Sequence, residues 1–235
     1  MDNTIYQISL LQALVKGYYD GVISVGELRK NADTAIGTFL GANGEMIMVD
    51  HNMYRANIDG KIELVSDNEL IPFSNATTFS VDKIINITAK DITDLKKQLN
   101  EYKNKNHKNE FIVIRIDGLF SSITYRSIPK QNKPYKPLDY VVEHEQKVYA
   151  KNNIKGTIIG FCFPAYLSNI NTVDYHMHFI DELKTCGGHV LDLSFKDISI
   201  KVSIKNELKL ILPKEEDFNN YSFNNDLDAI KKVEE

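Results

Sequence analysis

The chain has 235 residues, 43% of them apolar and 26% charged, with a net charge of −4. That length buries a core without covalent staples, in one large domain or two small ones, and the ordinary apolar content excludes disorder and fibrous repeats. The mildly acidic balance lacks the cationic surface that phosphate backbones demand, which argues against a nucleic-acid binder.

The N-terminus opens with an acid, and no basic segment precedes its apolar stretch, so it does not read as a secretory leader. Ser24 and Glu27 are spaced as a capping box and open a short helix over 24–31. Short apolar stretches follow, split by Asn43-Gly44 and Asp59-Gly60, dipeptides that tolerate the positive φ of tight turns. They predict strands near 35–40, 45–50, 53–57 and 61–65. A β-rich stretch over 77–88 precedes a helix over 91–105, where Ile92, Leu95 and Leu99 recur at helical spacing. The Lys- and Asn-dense run 96–108 reads as a solvated helix end and loop.

Strands are expected over 111–116 and 121–128. Pro129, Pro134 and Pro137 make 129–138 an extended connector between an N-terminal domain, 1–138, and a C-terminal β-rich domain, 139–235. The second half repeats the β theme over 146–150, 156–163, 173–180, 189–194, 198–204 and 208–212, and an amphipathic helix is expected over 225–233. The longest apolar run, 157–167, falls far short of the ~20 residues of a spanning helix and contains Pro164. Cys162 and Cys186 are too few for a disulfide scaffold and suit a reducing cytoplasm. The fold class expected is α/β of the α+β type: two mixed β-sheet domains with few helices, and no βαβ alternation.

The sharpest local feature is Tyr175-His176-Met177-His178-Phe179, followed by Gly187-Gly188-His189. Alternation along a strand puts His176 and His178 on one face and gives Tyr175, Met177 and Phe179 to the core. A hairpin symmetric about Leu183 and Lys184 sets His189 opposite His178, with Cβ atoms ~5 Å apart. Three imidazoles then converge within reach of one metal ion, on strands of the C-terminal half. His51, His107 and His144 lack such company and read as surface or turn residues. A cupin-type metalloenzyme also carries His-x-His followed by Glu, which would make Glu182 a fourth ligand. The glycines of that pattern are missing, since Ile170 and His189 stand in their places, and Glu182 reads as a solvated loop residue. A non-catalytic metal-binding or sensing domain is the other alternative.

Three further segments complete a set with the two histidine motifs: Gly37-Thr-Phe-Leu-Gly-Ala-Asn-Gly-Glu45-Met-Ile-Met-Val-Asp50, Gly118-Leu-Phe-Ser-Ser-Ile-Thr-Tyr-Arg126-Ser-Ile-Pro-Lys-Gln131 and Lys133-Pro-Tyr-Lys-Pro-Leu138. Together they resemble the α-acetolactate decarboxylase family over nearly the whole chain. The resemblance implies a two-domain α/β lyase, homodimeric, that uses Zn2+ to convert (S)-2-acetolactate to (R)-acetoin and carbon dioxide. It makes His176, His178 and His189 the zinc ligands and places Glu45, Arg126, Thr38 and a C-terminal glutamate, Glu234, at the site. Val173 and Asp174 replace a Pro-Gly pair common in the family, ahead of the ligand strand.

The chemistry asks for these residue types. Acetolactate is a β-keto acid whose own ketone accepts the electrons left by carbon dioxide, so no organic electron sink is required, only a Lewis acid. A planar guanidinium such as Arg126 orients the carboxylate by paired hydrogen bonds. A carboxyl raised in pKa by burial, Glu45 or Glu234, can then protonate one face of the enediolate.

Overall fold

The computed structural model describes residues 2–168 and 170–223. In chain order the first half holds β1 (Thr4–Ile8), α1 (Leu11–Val15), β2 (Ile23–Ser24), α2 (Val25–Arg29), β3 (Thr34–Thr38), β4 (Glu45–Val49), β5 (Asn52–Ala56), β6 (Ile62–Leu64), β7 (Leu70–Ile71) and β8 (Phe73–Thr77). There follow β9 (Lys83–Ala89), α3 (Ile92–Asn106), β10 (Phe111–Ser127), α4 (Leu138–Glu145), β11 (Lys147–Cys162), β12 (His176–Asp181), β13 (Gly187–Lys205), β14 (Glu207–Ile211) and α5 (Glu216–Asn219).

One seven-stranded sheet runs β14-β1-β8-β3-β4-β5-β6, mixed because β14 lies parallel to β1. In the second sheet β10 pairs with β11 on one side and β13 on the other, while β12 bridges β11 and β13. Those four strands close a circuit, and β9 adds to it at β13. β2 and β7 form a separate two-stranded ribbon. The chain therefore belongs to the α+β class, with its histidines on β12 and β13.

The sheets do not divide the chain at 138/139. β10 precedes that point and pairs with β11 beyond it, and β14 returns from the far end to the first sheet. The prolines mark a connector, not a change of sheet: it enters α4, which packs against α1.

Several local expectations hold. The capping box forms, with Ser24 accepting from the Glu27 amide and the Glu27 carboxylate accepting from the Ser24 amide. Asp91 caps α3 by accepting from the Asp94 amide at 2.7 Å. Three pairs of expected strands prove to be single long ones, β10, β11 and β13. The Gly118 and Lys196-Asp197 interruptions are absorbed as bulges, where the pairing register shifts, and no turn forms. The stretch 77–88 splits instead, between the end of β8 and the start of β9.

Lys103 departs from the solvated reading. It follows Leu95 and Leu99 at four-residue intervals on the buried stripe of α3. Its Nζ reaches the Cys162 sulfur at 3.1 Å and the Phe163 carbonyl at 3.5 Å. The expected helix over 225–233 lies outside the described residues. No helix among the described residues is long and apolar enough to cross a membrane.

The sheets meet face to face. Ile36, Ile47 and Val49 of the first pack with Val113, Ile159 and Phe161 of the second in one buried cluster. The opposite face of the second sheet packs under α3, around Leu95, Leu99, Ile114, Met177 and Phe179. Burying each such aliphatic side chain contributes ~1.5–3 kcal/mol before chain entropy is subtracted.

Candidate active site

β12 turns both imidazoles toward the first sheet. Tyr175, Met177 and Phe179 enter the core under α3, so His176 and His178 share the other face. The tight turn after Asp181 brings β13 back with His189 directly opposite His178. The Asp181 carboxylate holds that turn by accepting from the Thr185 and Cys186 amides at 2.6 and 2.8 Å. Glycine is required at 188, where φ is +157° and a Cβ would stand 2.3 Å from the Arg126 carbonyl oxygen. That close approach seats His189 beside β10, in register with Arg126.

The three rings cluster with centroids 4.8, 5.0 and 5.4 Å apart, and one nitrogen from each lies within 4.8 Å of the others. The Nε2 atoms of His176 and His178 are 3.0 Å apart. All three side chains are buried. Burial drives every one of their pKa values down, His176 to about 3, and the nearby Arg126 charge lowers them further. The imidazoles are therefore neutral at physiological pH, the state in which nitrogen binds metal.

Two details test the fit to a metal ion. His178 donates Nδ1–H to the Met46 carbonyl at 2.7 Å, which leaves the Nε2 lone pair facing its neighbours. The buried Nε2 of His189 has no hydrogen-bond partner among the described residues. A buried ring nitrogen left so is costly in an apolar setting and natural for a ligand. Three neutral nitrogen donors with room for further ligands suit a divalent ion such as zinc.

The first sheet supplies the rest. Glu45 opens β4, and alternation puts it on the face of Ile47 and Val49, toward the second sheet. Its Oε2 lies 3.6 Å from His178 Nε2. Thr38 pairs with Glu45 across β3 and β4 and donates its hydroxyl to the Gly44 carbonyl at 2.7 Å, tying down the loop that delivers the carboxylate. Arg126 is buried near the end of β10. Thr38, Glu45, Arg126, His176 and His189 line one cleft of about 40 Å³, room for a few waters.

Glu234 lies outside the described residues. Glu182 is exposed on the turn and is not part of the histidine cluster, which removes the cupin-type arrangement. His51 sits exposed at a positive φ, His107 pairs with Glu110, and His144 stacks on Tyr140, as surface residues do. The other end of the cleft has no counterpart in the sequence reading. Leu11 and Leu14 of α1, Leu138 of α4, and Ala42, Phe73 and Ile128 form an apolar wall. The spacing of Leu11 and Leu14 carried a faint helical signal; the other four carried none.

Comparison with known proteins gives one answer. A family model described as alpha-acetolactate decarboxylase matches residues 5–225. The alpha-acetolactate decarboxylase of Bacillus subtilis (strain 168) is 38% identical over 231 residues, covering 98% of this chain and 89% of that protein. The Methanosarcina mazei protein of the same name is 36% identical, covering 99% and 80%. The crystal structure of the Bacillus subtilis strain 168 enzyme superposes with a TM-score of 0.93 at 37% identity, over 98% of this chain and 99% of that one. A Staphylococcus aureus structure, described as a protein of unknown function similar to alpha-acetolactate decarboxylase, gives 0.89 at 26% identity, over 98% of each.

Proposed function

The chain belongs to the alpha-acetolactate decarboxylase family, and from that premise we propose that it converts (S)-2-acetolactate to (R)-acetoin and carbon dioxide with a zinc ion held by His176, His178 and His189. The observation that carries the proposal is the convergence of three neutral imidazoles, one with an orphaned Nε2, two of which, His176 and His189, line the same cleft as Glu45 and Arg126. When bound there, the ion supplies a Lewis acid for the substrate's ketone oxygen.

Arg126 binds and orients the carboxylate. Its guanidinium, buried near the end of β10, offers paired N–H donors of the right planarity. Uniformly tight binding of the carboxylate would stabilise the ground state as much as the transition state, so Arg126 acts by aligning the C–C bond for cleavage. When that bond breaks, its electron pair stays on C2 and conjugates with the ketone. The same carbon must then take a proton on one face. Glu45 stands at the cleft beside His178 and is the carboxyl proposed to supply that proton, with Glu234 as the second carboxyl proposed for this step. Thr38 orients Glu45 by fixing the Gly44 carbonyl. The apolar wall keeps bulk water from the developing charge.

The proposal extends to a cytoplasmic homodimer. Both cysteines are free, as a reducing compartment leaves them; a solution mass of two chains would support the homodimer, and a mass of one chain would overturn it. The activity is tested by supplying racemic acetolactate to purified protein and measuring acetoin before chelation, after it, and after zinc is returned. Acetoin formed only in the metal-loaded states supports the proposal, and none from zinc-loaded protein overturns it.

A further inference from the structure

The loop that delivers Glu45 is unusual in its backbone. Gly41, Ala42 and Gly44 all have positive φ, at +75°, +50° and +74°. Side chains are excluded at the two glycines. A Cβ would stand 2.8 Å from the Gln131 carbonyl oxygen at position 41 and 2.4 Å from the Ala56 carbonyl oxygen at position 44. Position 42 alone carries a Cβ, in a conformation that disfavours any side chain relative to glycine. Ala42 is fully buried and is one of the residues around the cleft, in one cluster with Leu11, Leu14, Phe73, Ile128 and Leu138.

We propose that Ala42 is a specificity-determining residue, whose methyl sets how large an alkyl group on the substrate's C2 the cleft accepts. The inference rests on the function proposed above. If the carboxylate, ketone and hydroxyl are held at the end formed by Arg126, Glu45 and the histidines, the C2 alkyl group and the acetyl methyl are the parts left to meet the apolar wall, and the C2 group is the one that varies between homologous substrates. The residue nearest in sequence to Glu45 on that wall is Ala42, three positions away, so the wall and the carboxylate are set by one tight loop. An apolar pocket discriminates one methylene by roughly tenfold or more, so a single methyl on the protein side is enough to shift the choice of substrate.

The test sets 2-acetolactate against its homologue with an ethyl group on C2, in competition, and reads the ratio of the two kcat/KM values. Ala42→Gly removes the methyl and relieves the backbone, and it is expected to shift the ratio about tenfold toward the ethyl substrate. Ala42→Leu is expected to shift it by a similar factor the other way; Ala42→Gly decides the question if the leucine variant does not fold. A ratio unchanged in Ala42→Gly overturns the role of Ala42 and, when the zinc-loaded wild type turns over acetolactate, leaves the proposed function standing. Absence of acetolactate turnover by the zinc-loaded wild type overturns the function itself, and the inference with it.

Discussion

His178 donates Nδ1–H to the main-chain carbonyl of Met46 at 2.7 Å, and Met46 directly follows Glu45 on β4. The bond spans the two sheets, so the strand bearing His178 and the strand bearing Glu45 hold each other in place. It also fixes the tautomer: with Nδ1 protonated, only Nε2 can ligate. The acceptor is backbone, and no side-chain substitution at position 46 removes it.

His178→Ala is expected to lose both that inter-sheet bond and one metal ligand. Zinc affinity should fall by on the order of 100-fold or more, measured by competition with a chelating dye, with acetoin formation lost in parallel. A variant that retained full metal occupancy at equimolar chelator would contradict the ligand assignment.

Arg126→Lys keeps the positive charge and loses the planar fork. Its expected signature is a normal zinc content with kcat/KM lowered on the order of 10²–10³-fold, the usual cost of a misplaced charge-assisted contact. Loss of metal together with activity would instead make Arg126 a support for His189, its neighbour in the β10–β13 register.

Gly188→Ala tests the close approach of β13 to β10. The added methyl meets the Arg126 carbonyl oxygen at 2.3 Å, backbone that cannot swing aside. Overpacking of this kind costs ~1–3 kcal/mol, and the strain falls between His189 and Arg126. Denaturant unfolding should show the loss in stability, and zinc affinity should drop with it; a variant as stable as wild type would mean the strands separate freely.

Stability away from the site should depend on pH through Asp117. Burial raises its pKa, but Lys201 Nζ at 2.9 Å, the Arg115 guanidinium and the Thr157 hydroxyl outweigh that and hold it below the ordinary value. The unfolded carboxyl titrates near ~3.9, so the charged form's advantage is present above that pH and is lost as pH falls through the lower folded value. Asp117→Asn is expected to cost about 1 kcal/mol at pH 7, as a partly exposed network allows. The gap to wild type should close below about pH 4; a gap constant down to pH 2 would rule out the linkage.

The parts of this site that sequence reveals are those with a local period. Alternation around His176 and His178, and a turn symmetric about Leu183 and Lys184, were enough to place His189 opposite His178. Glu45 and Arg126 carried no such signal and were expected from family resemblance alone. The apolar wall was invisible because Leu11, Ala42, Phe73, Ile128 and Leu138 come from separate elements and meet only after the chain has folded. The parallel pairing of β14 with β1 left no local mark for the same reason. Lys103 was misread because its charge suggested solvent, while its position four residues beyond Leu99 placed its stem on the buried stripe of α3.

Titration of metal-free protein with zinc, following acetoin formation from acetolactate at each addition, tests the central claim most directly. Activity should be absent at the start, rise linearly and break at one equivalent per chain, while His176→Ala and His189→Ala stay flat through the same range. Full activity in the metal-free protein, or a rise in the variants matching wild type, would contradict it.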